Sequence, residues 1–203
     1  MRSALAMGLA LLATLLVGMP ASAQRPPAPP EHPTITSTLD FQLRTVEFEF
    51  VSAADAMPED KYSFAPTNGE FKGVRTFAEQ VKHVATTNTR FFDAILGQAP
   101  PAAANRFEAE NGPDSIKTKA QIMQYLRDSF ALGHKAIATI NAENAYEPVK
   151  NPPISFLNTP AAIAGFAPAH ALDHYGQMVE YLRMNGIIPP ASRQRPPANP
   201  PSK

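Results

Sequence analysis

Apolar residues recur at gaps of three and four in four separate segments, the spacing that lays side chains along one face of an α-helix. The first segment carries Leu39, Leu43, Val46, Phe50, Ala53 and Met57. The second carries Phe77, Val81, Val84, Asn88, Phe91 and Ile95, with Asn88 as its one polar member. The third carries Met123, Leu126, Phe130, Gly133, Ile137 and Ile140, and the fourth Ile163, Ala167, His170, His174, Gln177, Tyr181 and Met184. Start signals agree with this division. Thr76 and Glu79 form a capping-box pair ahead of the second segment, the turn Asn111-Gly112-Pro113-Asp114 introduces the third, and Thr159 followed by Pro160 opens the fourth.

No segment shows the period-two alternation of a half-buried strand, so the expected fold is all-α, a four-helix bundle. Two connections, 58–73 and 144–158, run to about 15 residues each, longer than ordinary bundle turns, and are expected to cover one end of the bundle. Pro168 lacks the N–H that the fourth helix needs there, and its ring opposes the carbonyl of Ala164. It predicts a kink, or a fresh helix start, just before His170.

The ends of the chain read differently from its middle. Arg2, the apolar run Ala4 to Val17 and the small-x-small triplet Ala21-Ser22-Ala23 spell a secretory signal over residues 1–23, with export to the periplasm or beyond the cell. The run is too short for a stable membrane anchor, which takes about 20 apolar residues. Many of the 22 prolines sit in a leader at 24–33 and a tail at 189–203, both expected to be extended or disordered, leaving 34–188 as the folded domain. Lys+Arg and Asp+Glu each number 18, a balance that argues against nucleic acid and against an anionic membrane surface as partners. There is no cysteine, so neither disulfides nor a lipid-bearing cysteine can hold the protein, and sulfur chemistry would need an external thiol.

Chemistry enters through the fourth helix. His170 and His174, one turn apart, fall in the same inward stripe as Ile163 and Tyr181, where two imidazoles can converge on one metal ion. The alternative is a buried hydrogen-bond network with Gln177, Tyr181 or water, since inward polar groups must be satisfied one way or the other. Three more histidines exist. His32 lies in the proline-rich leader, His134 stands beside the third stripe as a surface or supporting residue, and His83 lies about 130° from the centre of the second stripe, a boundary or surface position by periodicity alone.

The segment Arg75-Thr76-Phe77-Ala78-Glu79-Gln80-Val81-Lys82-His83-Val84-Ala85 together with His170-x-x-x-His174-Tyr175-Gly176-Gln177 and the closing Tyr181-Leu182-Arg183-Met184-Asn185-Gly186-Ile187-Ile188-Pro189-Pro190 resembles the DinB-like superfamily. The resemblance implies an up-down-down-up order of helices and a metal-binding histidine triad: His83 from the second helix with His170 and His174 from the fourth. A divalent ion follows, zinc, nickel or iron, for three imidazoles do not choose among them.

Three neutral ligands leave the ion its full charge and an open position, which suits hydrolysis by activated water acting on an unidentified small molecule. A thiol-dependent transferase fits an exported chain less well, and a non-catalytic, stress-associated metal- or small-molecule-binding bundle, with a homodimer left open, is the other class. The metalloprotease HExxH pattern is absent because Ala171 stands in place of its glutamate, and Asp173 should face away from both imidazoles. Glu47, Glu49 and Glu79 are the remaining general-base candidates, and Asn88 or a glutamate could close a fourth coordination position. Tyr175 and Tyr181 read as packing residues with a polar tip that could also orient a ligand, Arg183 reads as a structural partner of a local carboxylate, and Phe50, Phe91 and Phe92 with the two long connections are expected to line a pocket.

Overall fold

The computed structural model describes residues 26–98 and 108–193; the expected export signal and most of the proline-rich tail lie outside the described residues. Four long helices account for most of it: α1 (Ile35–Ala56), α2 (Phe77–Ile95), α3 (Lys119–Ile137) and α4 (Pro160–Met184), with no strand among the described residues. Each helix starts on a threonine. Thr76 and Glu79 exchange the two bonds of a capping box as expected, and Thr34 with Ser37 and Thr118 with Gln121 do the same for α1 and α3. Thr159 accepts from the backbone N–H of Ala162, and Pro160 takes the first helical position, where its missing N–H costs nothing.

α2 packs against α3 and α4, α1 packs against the same two, and α3 barely meets α4, so the order around the bundle is α1-α3-α2-α4. Hydrogen bonds between helices give the directions. The start of α1 meets the end of α3 through Thr36 and the Ile140 carbonyl, and its end meets the start of α3 through Lys119 and the Met57 carbonyl, so this pair is antiparallel. Thr86 meets Tyr125 and Asn88 meets Ser129, so α2 and α3 run parallel. Gln80 meets Gln177 and the Arg75 carbonyl meets Tyr181, so α2 and α4 are antiparallel. The bundle is therefore up-down-down-up.

That order dictates the connections. α1 to α2 and α3 to α4 are diagonal steps, and because α1 and α3 are antiparallel their loops cross opposite ends of the bundle, not the one end expected of them. At one end Tyr62 is buried against Phe77 and donates to the Ala54 carbonyl, while Phe64 meets Tyr181 edge-on. At the other, Ala145 and Leu157 are buried. The parallel pair α2 and α3 is joined by a crossover, residues 96–118, whose short 3-10 turn Glu108–Asn111 lies on α2. Gly112, buried at φ +74°, turns the chain away again where a Cβ would stand 3.0 Å from the Thr86 hydroxyl.

The predicted stripes form the core in α1, α2 and α3: Leu43, Val46, Phe50, Ala53, Phe77, Val81, Val84, Asn88, Leu126 and Phe130 are all buried. In α4 the seam departs from expectation. Gln177 and Met184 are exposed, and the buried positions after His174 are Met178, Tyr181 and Leu182. A seam of 3.6-residue period admits either of two neighbouring positions at each turn, and packing on α1 and α2 selects between them. α4 neither stops nor restarts at Pro168, which is buried within the continuous helix. The folded unit also outruns the expected boundary at 188: Pro189 is buried, and Pro190–Ser192 form a 3-10 turn against α1. No helix among the described residues is long and apolar enough to cross a membrane.

Candidate metal centre

His83 comes from the second turn of α2, and His170 and His174 from consecutive turns of the antiparallel α4. One potential ligand atom from each of the three rings lies within 4.8 Å of the other two. His83 Nε2 and His170 Nε2 are 3.2 Å apart. Two nitrogens bound at roughly 2.0–2.1 Å to one tetrahedral ion would stand about 3.3 Å apart.

His83 is buried, where periodicity alone suggests a boundary or surface position. α2 has α3 on one side and α4 on another, and the 108–111 turn closes a third, so its buried arc is far wider than one stripe. Gln80, Lys82 and Ala85 are buried with it.

The outer nitrogens of two rings are committed to acceptors. His83 Nδ1 lies 2.8 Å from the backbone carbonyl of Glu110, which can only accept, so this nitrogen carries the proton and Nε2 keeps its lone pair. His174 Nδ1 lies 2.6 Å from Oε1 of Gln80, whose amide nitrogen in turn donates to Oε1 of Gln177 at 2.8 Å. His174 Nε2 is likewise left as a lone pair. His170 Nε2 is within hydrogen-bond distance of His83 Nε2, but its buried Nδ1 has no partner among the described residues, so hydrogen bonds between described residues leave the triad incompletely satisfied.

The electrostatics favour neutral rings. Burial, then the neighbouring His83, pushes His170 down to about 4, and burial, then His170 and His83, pushes His174 down to about 3. Burial, then the Arg75 guanidinium, lowers His83 as well. Phe91 and Phe166 flank His170 with ring centroids at 5.9 and 6.3 Å, giving the site an apolar wall. Neutral imidazoles, two of them with inward lone pairs, are a donor set that fits a divalent transition ion.

On the other side of the triad's partners opens a mostly polar cleft of about 310 Å³, lined by Gly73, Val74, Arg75, Gln80, Glu110, Asn111 and Gln177. Arg75 Nε donates to Asn111 at 2.7 Å, and its Nη2 stands 3.5 Å from the Glu110 carboxylate. The same side chain thus ties the crossover turn to the start of α2 and holds the Glu110 carbonyl over His83.

Other candidates are placed elsewhere. His32 is exposed. His134 is clasped between Asp40 at 2.6 Å and Glu47 at 2.9 Å on α1, which removes both His134 and Glu47 from the site. Glu79 is spent on the α2 cap. Glu49 faces Tyr175, whose phenol is raised first by burial and then by that carboxylate. Asn88 turns toward Ser129 on α3 and closes no fourth position. Asp173 is exposed as expected and accepts from Gln177 at 3.3 Å. Tyr181 bonds the Arg75 carbonyl, and Arg183 pairs with the Ser192 hydroxyl in place of a carboxylate. Phe50 and Phe92 belong to the fully buried core, and only Phe91 of the three expected pocket residues reaches the site.

Gln80 and Glu110 are the residues that sequence reasoning misses. Gln80 stands three positions before His83, a spacing that signals a shared helix face. Glu110 acts on His83 through its backbone, from a crossover with no periodicity, and leaves no such signal.

No curated protein matches the chain. A family model described as the DinB superfamily matches residues 42–178, from within α1 to the last turns of α4, and includes all three histidines. With well over half of its length matched, and with the helices in the order that resemblance implied, the chain belongs to the DinB superfamily.

Proposed function

We propose that His83, His170 and His174 bind one divalent transition-metal ion, and that the protein is a metal-dependent hydrolase of a small polar substrate. The observation that carries this reading is the convergence of three neutral imidazoles, two of them held by Glu110 and Gln80 with their Nε2 lone pairs turned inward. Bound there, a divalent ion would supply Lewis-acid activation of water or of a substrate oxygen.

The chain's own groups supply the rest. Phe91 and Phe166 keep water from one side of His170, while the cleft, lined by Gln80 and Glu110 but by none of the three histidines, is the side from which substrate would approach. Glu110 is the one carboxylate among the cleft-lining residues and is held only loosely by Arg75, so we assign it the role of proton acceptor. Among the described residues Arg75 spends its Nε on Asn111 and one amino group on Glu110, which leaves guanidinium donors for a substrate oxygen. The signal-like first 23 residues support action outside the cytoplasm, where thiol cofactors are scarce, and the chain has no cysteine of its own for a transferase.

The test is elemental analysis of the purified protein beside a His170→Ala, His174→Ala double variant, after dialysis against a weak chelator, followed by a screen of esters and amides. About one metal per chain, absent from the variant, with turnover that Glu110→Gln depresses, is the expected result. No metal in either protein, and no uptake of zinc or nickel on titration, would overturn it. A second reading, a non-catalytic metal- or small-molecule-binding bundle, is favoured by the pairing of Glu110 with Arg75, which competes for the proton acceptor. It predicts a full complement of metal with no turnover in the screen.

A further inference from the structure

The proposal concerns how the triad is held and rests on the reading of it as a metal centre. His174 is the buried ring whose outer nitrogen is met by a side chain and not by the backbone: Gln80 Oε1, at 2.6 Å. An amide can present either its oxygen or its nitrogen, so Gln80 alone does not decide which tautomer His174 adopts. The decision lies one step further out. Gln80 Nε2 donates to Gln177 Oε1 at 2.8 Å, and Gln177 Nε2 in turn faces Asp173 Oδ2 at 3.3 Å. A carboxylate only accepts. With Asp173 at the end, Gln177 must point its NH2 outward and its oxygen toward Gln80. Gln80 must then point its oxygen at His174, and His174 must carry its proton on Nδ1.

We propose that Gln80, oriented by Gln177 and Asp173, is the positioning residue that holds His174 in the Nδ1–H form and so keeps its Nε2 lone pair aimed into the triad. Partners of this kind on a metal-ligating imidazole commonly govern affinity by 10–100-fold, by roughly fixing the ring and raising its basicity. The two links differ in strength. Gln80 is 2% exposed, so its bond to His174 is shielded from water, whereas Gln177 and Asp173 are exposed and water competes for them. The effect of substitution should therefore fall steeply outward, largest at Gln80, smaller at Gln177 and least at Asp173.

The experiment reads the tautomer directly in the full-length, metal-free protein, by two-bond 15N–1H correlation of the imidazoles at neutral pH, and reads the zinc dissociation constant separately by competition with a chelating dye. In the unsubstituted protein His174 is expected as Nδ1–H. Gln80→Leu should lose that single form and weaken zinc by about 10–100-fold. Gln80→Glu keeps the acceptor and should restore both the tautomer and the affinity, a rescue that a merely space-filling role would not produce. Gln177→Leu should weaken zinc by a few-fold. The proposal is overturned if Gln80→Leu leaves His174 wholly Nδ1–H, or if the tautomer changes while zinc affinity does not. If the unsubstituted protein takes up no zinc, the metal centre falls and the affinity role of Gln80 with it, while the spectrum still decides whether Gln80 orients the ring.

Discussion

Gly133 sits where α3 packs against Leu43 of α1 and Phe92 of α2, and replacing it with alanine tests whether the bundle is as tight there as the packing demands. A Cβ built at this position would stand 2.6 Å from Cε2 and 2.9 Å from Cζ of Phe92, and 2.7 Å from Cδ2 of Leu43. Carbon atoms rest at about 3.5–4.0 Å, so each neighbour would have to retreat by most of an ångström. Neither has room: Phe92 is fully buried and Leu43 is 1% exposed. Forcing a methyl into a filled core costs about 1–3 kcal/mol, and three contacts with nowhere to relax place this site toward the upper end. Alanine returns up to about 1 kcal/mol in helix propensity, leaving a net loss of about 1–2 kcal/mol. Gly165 and Gly176 of α4 provide the opposite case. Both are exposed, and a Cβ at either meets nothing within 4 Å, so Gly165→Ala and Gly176→Ala should each stabilise by about 0.5–1 kcal/mol. Urea unfolding followed by far-ultraviolet circular dichroism gives all three on one scale. The reasoning is refuted if Gly133→Ala is as stable as the unsubstituted protein, or more so.

Four further outcomes are expected. His134 has its affinity for a proton raised first by its hydrogen bond to Glu47 and then by the one to Asp40, against burial. Its clasp is present in full below the unfolded value near 6.5 and is lost as pH rises through the higher folded value, so the destabilisation caused by His134→Ala, about 1–2 kcal/mol in mild acid, should shrink toward pH 9 in urea titrations. The triad behaves in the opposite sense. His170 and His174 resist protons down to about 4 and about 3, and His83 is lowered in the same direction, so zinc affinity measured by dye competition should not fall as pH passes from about 8 to 6.5, where a site of ordinary imidazoles would already weaken. The metal-free fold should lose stability as pH drops from 6.5 toward 4, because the unfolded chain binds protons there that the folded one refuses. Finally, Thr76→Ala removes the side chain that caps α2 two turns before His83, and should lower stability by about 1 kcal/mol with a smaller change in zinc affinity, read by thermal melting and dye competition.

The chain by itself determines a good deal of this protein. Gaps of three and four among Leu43, Val46 and Phe50, or Phe77, Val81 and Val84, leave little choice but amphipathic helices, and Thr76 with Glu79 or Thr159 with Pro160 mark where two of them begin. These are local effects, decided within a turn or two of backbone, and they can be read without knowing what lies opposite. The pair His170 and His174 is local in the same sense, since one helical turn puts both rings on one face. What the tertiary structure alone decides is everything that depends on a second element. His83 lies outside its own helix's stripe and is buried because α2 is enclosed on three sides. Glu110 reaches it from a crossover that exists because α2 and α3 run parallel. Gln177, in the predicted inward stripe of α4, faces the cleft instead, and there it holds Gln80. Periodicity specifies which residues share a face. Which neighbour that face meets, and so whether a polar residue finds a partner, is set by the order of helices around the bundle, a long-range property that no window of a few residues contains.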